Sequence, residues 1–171
     1  MGVELTEEPY DGPAATALVH ALMADLNQRY SAWADDDGRE EHQAEGDDEY
    51  LAQLTASDVR APNGAFVIAR LDGEPVACGA LRRSGRDGLG EIKRMYTVPS
   101  ARRQGIAALV LEWLEDAGRR LGYRRLRLET GTAQPEAVAL YERAGWQRIV
   151  PFGFYADHPA SVCFGKELAS T

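Results

Sequence analysis

Residues 90–121 constrain the fold more than any other part of this sequence. A strand-like run, GEIKRMYTV, stops at Pro99, and after the short basic loop SARRQ, Gly105 opens a long apolar-striped segment, IAALVLEWLEDAGRRL. Ile106, Leu109, Val110, Trp113, Leu114 and Leu121 fall on one helical stripe, and Gly122 supplies the stop. A second strand pattern, YRRLRLET, follows. Strand, helix and strand in this order predict a right-handed parallel crossover over residues 90–129.

The flanking segments extend that unit. AFVIARL, EPVACGAL and GEIKRMYTV are joined by Asp72-Gly73 and SGRDG, which predicts a three-strand antiparallel meander. Upstream, Leu18, Leu22, Leu26 and Tyr30 are spaced four apart, with Val19 and Met23 beside them, so residues 13–30 read as an amphipathic helix. Tyr50, Leu51 and Leu54 suggest a short second helix before the Pro62-Asn63-Gly64 turn. Downstream, Pro135 starts PEAVALYERAG, Gly145 ends it, and residues 146–150 and SVCFGKEL read as strands. The expectation is a mixed α/β (α+β) chain with a central sheet, and 171 residues fit a single domain over 1–171.

Charge is local. The formal net charge is -8, and residues 35–50, with nine acids and one arginine, carry all of it. The rest of the chain balances, which makes nucleic acid a poor partner. That acidic run reads as a solvated loop or as a segment that draws in cationic acceptors. The longest strongly apolar stretch, residues 106–111, is far short of the roughly 20 residues a spanning helix needs, so no membrane partner is expected. Two cysteines, Cys78 and Cys163, and an N-terminus without signal-peptide character point to the cytoplasm. No histidine stands at ligand spacing from a second histidine or cysteine, so no metal is expected.

The loop-to-helix junction at Gly105 suits an anion. The first N–H groups of a helix are unpaired and point outward, and a glycine lets a phosphate approach them. The Gly-Lys-Ser ending of a P-loop and the three glycines of a dinucleotide fingerprint are both missing. Alone, the junction is equally an ordinary helix start with basic residues facing water.

Two motifs together are more specific. Arg102, Gly105 and Ala107 match the pattern Gln or Arg, two residues, Gly, one residue, Gly or Ala, and AVALYERAGW matches a pattern usually written ALYEKxGF. With EIKRMYTVP ahead of them, residues 90–150 resemble the GNAT (Gcn5-related) N-acetyltransferase superfamily. The resemblance implies a mostly antiparallel central sheet of about six to seven strands, splayed at the cofactor site and flanked by about four helices. It also implies acetyl-CoA as acetyl donor and a primary amine as acceptor, either a small molecule or a peptide; homodimers are common in the superfamily. Tyr96, Thr97 and Val98 would lie along the pantetheine arm, where a backbone N–H can polarise the thioester carbonyl. Arg102, Arg103, Gln104, Gly105, Ile106, Ala107 and Ala108 would wrap the pyrophosphate. Gln134 stands where the family commonly has a cofactor-bonding asparagine.

An amine must shed its proton before it attacks, so a carboxylate base is needed. Glu91 lies 14 residues before Gly105, the spacing of the catalytic glutamate in the histone-acetylating branch of the superfamily. Its plain alternative is a solvent ion pair with Lys93 or Arg94. Glu129 ends the neighbouring strand and can form a carboxylate pair with Glu91, whose repulsion would raise one pKa; its alternative is a structural bond to Thr130 or Thr132. Tyr141 stands at the position of the family's thiolate-protonating tyrosine, or else is a core tyrosine near Val138 and Leu140. Tyr155 falls in a loop that in this family often shapes the acceptor pocket. Direct attack in a ternary complex is expected, and a noncatalytic acyl-CoA-binding module is the alternative of a different class.

Overall fold

In the computed structural model, which describes residues 2–34, 43–85 and 87–169, the strand patterns become one seven-stranded sheet. The elements are β1 (Val3–Glu7), α1 (Pro13–Ala34), α2 (Gln43–Ala52), β2 (Ala65–Leu71), β3 (Glu74–Arg83), β4 (Leu89–Thr97), α3 (Ile106–Arg120), β5 (Arg125–Gly131), α4 (Pro135–Arg143), β6 (Gln147–Arg148) and β7 (Ser161–Glu167). Their order in the sheet is β1-β2-β3-β4-β5-β7-β6. Among the described residues, β4 and β5, joined through α3, pair in parallel, and the other five pairings are antiparallel.

Burial on the two faces follows from the sequence. The continuous apolar run AFVIA in β2 suits a strand covered on both sides. Val67 and Ala69 face a core with Leu81, Ile92, Leu126, Leu128 and Phe164, closed by Ile106, Val110, Leu111 and Leu114 of α3. Phe66 and Ile68 face the opposite core, with Cys78 and Ala80, under Ala15, Leu18 and Val19 of α1. In β5 the alternation is half-buried: Leu126 and Leu128 enter the α3 core, while Arg127 and Glu129 turn to the other face.

Five details differ from the sequence reading. The N-terminal strand β1 has only a five-residue alternation, and it forms by pairing with β2 from Val3↔Leu71 to Glu7↔Val67. The second helix ends at Ala52, earlier than Leu54 implied, because Thr55 and Asp58 close a turn through their side chains. Of the acidic run, residues 35–42 lie outside the described residues, and residues 43–50 are in α2. On α3 the buried stripe takes Leu111, while Leu109 is 39 % exposed. The strand expected at 146–150 shortens to Gln147–Arg148. Among the described residues, no helix is long and apolar enough to cross a membrane, and no cluster of three metal-ligating side chains occurs.

Candidate active site

The site is built where two strands part. β4 and β5 pair from Leu89↔Arg125 to Ile92↔Leu128 and no further. Beyond that point, β4 stays with β3 through Thr97, and β5 stays with β7 through Gly131. The backbone between the diverging strands is therefore free of sheet partners, and space opens on both sides of the fork.

One side is a groove of about 530 Å³. Met95, Tyr96 and Thr97 of β4 form one wall, Arg102, Arg103 and residues 105–108 form the end, and Gln134 and Tyr141 belong to the α4 wall. Gly105 caps α3 at φ 79°, a left-handed conformation that glycine adopts without steric cost, and no side chain caps the helix. A Cβ at this residue would meet open space, so the first turn of α3 faces an approachable cleft. Val98 and Gln104 stand outside the groove wall: the Val98 N–H donates to the Val76 carbonyl at 2.9 Å, and the Gln104 amide donates to the Ser100 carbonyl at 3.3 Å.

Three groove residues on α1, Leu22, Asp25 and Arg29, were invisible to sequence reading. Asp25 accepts from Arg29 Nε at 2.8 Å and from Arg102 Nη2 at 3.1 Å, and Arg29 also pairs with Glu136 of α4. Arg102 Nε donates to the Thr97 carbonyl at 2.9 Å. Arg29, Arg102, Arg103 and Arg143 outnumber Asp25 and Glu136 around the groove, leaving it positive. An uncapped helix start, a positive lining and unpaired strand backbone fit a pyrophosphate with a pantetheine-like arm.

The other side is a cavity of about 410 Å³ that both candidate bases line. Arg82, Glu91 and Arg127 stand in one cross-strand row, because Arg82 registers with Glu91 and Glu91 with Arg127. Glu91 is 5 % exposed and accepts from Arg82 Nη2 at 3.0 Å, with Lys93 Nζ at 3.7 Å. It is thus a buried, twice-paired carboxylate rather than a solvent ion pair. Glu129 is the first β5 residue past the last β4 pairing. Burial pushes its carboxyl above the ordinary glutamate range, Lys93 opposes the shift, and the Glu91 charge adds to it. The repulsion expected of a carboxylate pair is present, but desolvation is the larger cause. Among the described residues, the side-chain hydrogen bond of Glu129 comes from the Cys163 thiol at 3.9 Å, not from a threonine.

Tyr141 lies on the groove side, 4 % exposed, with its ring against Trp146 and Phe164. Burial raises its phenol pKa. Phe152, Phe154 and Tyr155 bring an aromatic rim to the cavity from the loop before β7.

A β-bulge shapes this face. Cys78 registers with Tyr96 but Ala80 with Lys93, so β4 spends one more residue than β3 over this span. Arg94 takes φ 59°, and the slip lets Lys93 and Arg94 both line the cavity while Met95 packs on the α3 core.

The profile of the acetyltransferase (GNAT) family matches residues 15–146. The chain belongs to that family. It is 40% identical over 118 residues to an IAA acetyltransferase of Azospirillum brasilense, covering 69% of this chain and 74% of that protein. A crystal structure of a Klebsiella pneumoniae protein named for acyl-CoA N-acyltransferase activity is 32% identical, with TM-score 0.72 and 98% of both chains covered. A GNAT family acetyltransferase from Elizabethkingia anophelis, solved with acetyl-CoA bound, shares the fold at TM-score 0.63 and 17% identity, over 97% of this chain and 98% of that one.

Proposed function

We propose that the chain moves an acetyl group from acetyl-CoA to the primary amine of a small molecule by direct attack in a ternary complex. The observation that carries this reading is the fork itself, with a positive groove on one side and a carboxylate-lined cavity on the other. A cavity of about 410 Å³ is the size of a small-molecule site, which favours that acceptor over a protein.

Bound acetyl-CoA would supply an activated thioester carbonyl. Arg102, Arg103 and the first turn of α3 would hold its phosphates, and the β4 edge at Tyr96 and Thr97 would hold its arm. Glu129 accepts the proton of the acceptor ammonium, since burial gives it a basicity above that of a solvent glutamate. Glu91, shared between Arg82 and Lys93, holds those cations in place and sets the field at Glu129. Tyr141, which lines the groove, supplies the proton for the departing sulfur.

Calorimetric titration with acetyl-CoA, followed by an amine panel scored by thiol release, tests the proposal. One-site micromolar binding and amine-dependent release are expected. Donor binding without release on any amine would favour a noncatalytic acyl-CoA-binding module, and no binding by folded protein would refute the donor.

A further inference from the structure

The acceptor cavity carries more positive charge than a plain alkylamine would tolerate. Among the described residues, Arg82, Arg83, Lys93, Arg94 and Arg127 line it against two carboxylates, Glu91 and Glu129. Glu91 is shared by Arg82 and Lys93, so it balances one of them. Arg127 is held by neutral partners, the Ser84 hydroxyl at 3.0 Å and the Phe152 ring at 3.8 Å. An ammonium entering alone would add to this excess.

Arg94 is the sharper feature. Its backbone sits in the left-handed region at φ 59°, uncommon for a residue with a side chain and a feature that gathers at functional sites. The residue is 2 % exposed. Nη2 donates to the Tyr50 carbonyl at 2.7 Å, Nε to the Tyr10 hydroxyl at 3.3 Å, and the guanidinium lies 3.9 Å from the centre of the Tyr50 ring. Nη1 is buried and has no hydrogen-bond partner among the described residues. Buried charged donors are nearly always paired, and Arg94 is among the residues lining the cavity, so its unpaired Nη1 is the candidate partner for a ligand's acceptor atom once local movement uncovers it.

We infer that this cavity takes an amine that also carries a carboxylate, an amino acid or a close relative, with the carboxylate received by Arg94 and the amine turned toward Glu129. The inference rests on reading the cavity as the acceptor site. A single orphaned donor in a surplus of positive charge suits a monoanion better than a phosphate, which needs more donors. Nη1 is itself buried and the Tyr50 ring lies 3.9 Å from the guanidinium, so local movement is required before a ligand oxygen reaches that donor. Phe152, Phe154 and Tyr155 leave the remainder of the acceptor an aromatic rim.

Equilibrium binding of matched pairs tests this: phenylalanine against phenethylamine, tyrosine against tyramine, and lysine against cadaverine, with O-phosphoethanolamine as the phosphate arm. In at least one pair the amino acid should bind the wild-type chain at least about 10-fold more tightly than its decarboxylated partner, and the amine-free carboxylate hydrocinnamate should compete with it. R94Q should lose that preference, and R94K should lose most of it, with acetyl-CoA binding kept. Equal or tighter binding of every decarboxylated amine, tighter binding of O-phosphoethanolamine, no binding of any carboxylate, or an unchanged preference in a folded R94Q protein would overturn the inference. If the variants unfold, the wild-type pairs and the hydrocinnamate competition decide it. Acetyl-CoA binding is measured separately, so failure of the acetyltransferase reading is distinguishable from failure of the Arg94 site.

Discussion

Glu91 and Glu129 share a cavity but not a setting, and that difference separates their expected phenotypes. Glu129→Gln removes the proton acceptor, so kcat/KM should fall about 10²- to 10⁴-fold. In the parent protein the acid limb of the kcat/KM profile should lie above the ordinary glutamate range, because Glu129 works only when ionised and its pKa is raised by burial. Activity therefore rises with pH through that raised pKa, and E129Q should lose the limb. Stability runs the other way: a raised carboxyl pKa favours folding below the unfolded value and loses that contribution as pH rises through the folded one. The neutral amide escapes this loss, so Tm at neutral pH should hold or rise. Glu91→Gln strips Arg82 and Lys93 of their shared partner, and with Arg82 partly exposed this should cost about 1–3 kcal/mol of stability. A large kcat/KM loss in E91Q with an intact acid limb in E129Q would reverse the assignment. Tyr141→Phe should lower kcat at least about 100-fold with acetyl-CoA affinity unchanged, and full turnover would remove the phenol from the mechanism. The positions of Glu91 and Tyr141 near the fork were legible in the motifs, and that of Glu129 in the end of the strand pattern YRRLRLET, because each follows from local sequence; their roles are what these variants test. Arg94 and Asp25 were not: a bulge decides which face Arg94 lines, and Asp25 meets Arg102 from 77 residues away.

The bulge also shows how one element positions the next. Gly79 lies on β3 opposite the slip, and a Cβ there would stand 2.7 Å from Leu114 Cδ1, 2.8 Å from Met95 Sδ and 2.9 Å from Val110 Cγ1. These atoms are side-chain ends on α3 and β4, so they can yield, but in a packed core they yield at a cost. Gly79→Ala should therefore lose about 1–3 kcal/mol by denaturant unfolding. Met95 also lines the groove, so the same variant should weaken acetyl-CoA binding; unchanged donor affinity would uncouple the bulge from the groove. The meander, the crossover and both long helices could be read from periodicity because their apolar positions repeat over enough residues to fix a phase. β1 could not, because five residues alternating between half-buried and exposed acquire strand structure only from the β2 edge. On α3 the expected stripe exchanges one member, because Leu111 joins the sheet core while Leu109 is 39 % exposed.

At the scale of the whole molecule, net charge and local charge predict opposite responses to salt. A chain with formal charge -8 would repel a polyanionic donor, and added salt would then tighten binding by screening the repulsion. The acids behind that figure sit in residues 35–50, while the groove is lined by four arginines against Asp25 and Glu136. At physiological ionic strength the Debye length is about 8 Å, so the groove's own charges govern a ligand in contact with it. Acetyl-CoA affinity should therefore weaken several-fold as sodium chloride is raised to about 0.5 M. Occupied groove should also mean a more stable protein: at donor concentrations near 100 times Kd, linkage contributes about 2.7 kcal/mol, which for a chain of this length raises Tm by about 5–10 °C. A thermal-shift titration at two salt concentrations reads both effects. Tighter binding at high salt would mean that the acidic segment dominates and that the groove is not the electrostatic trap its lining describes.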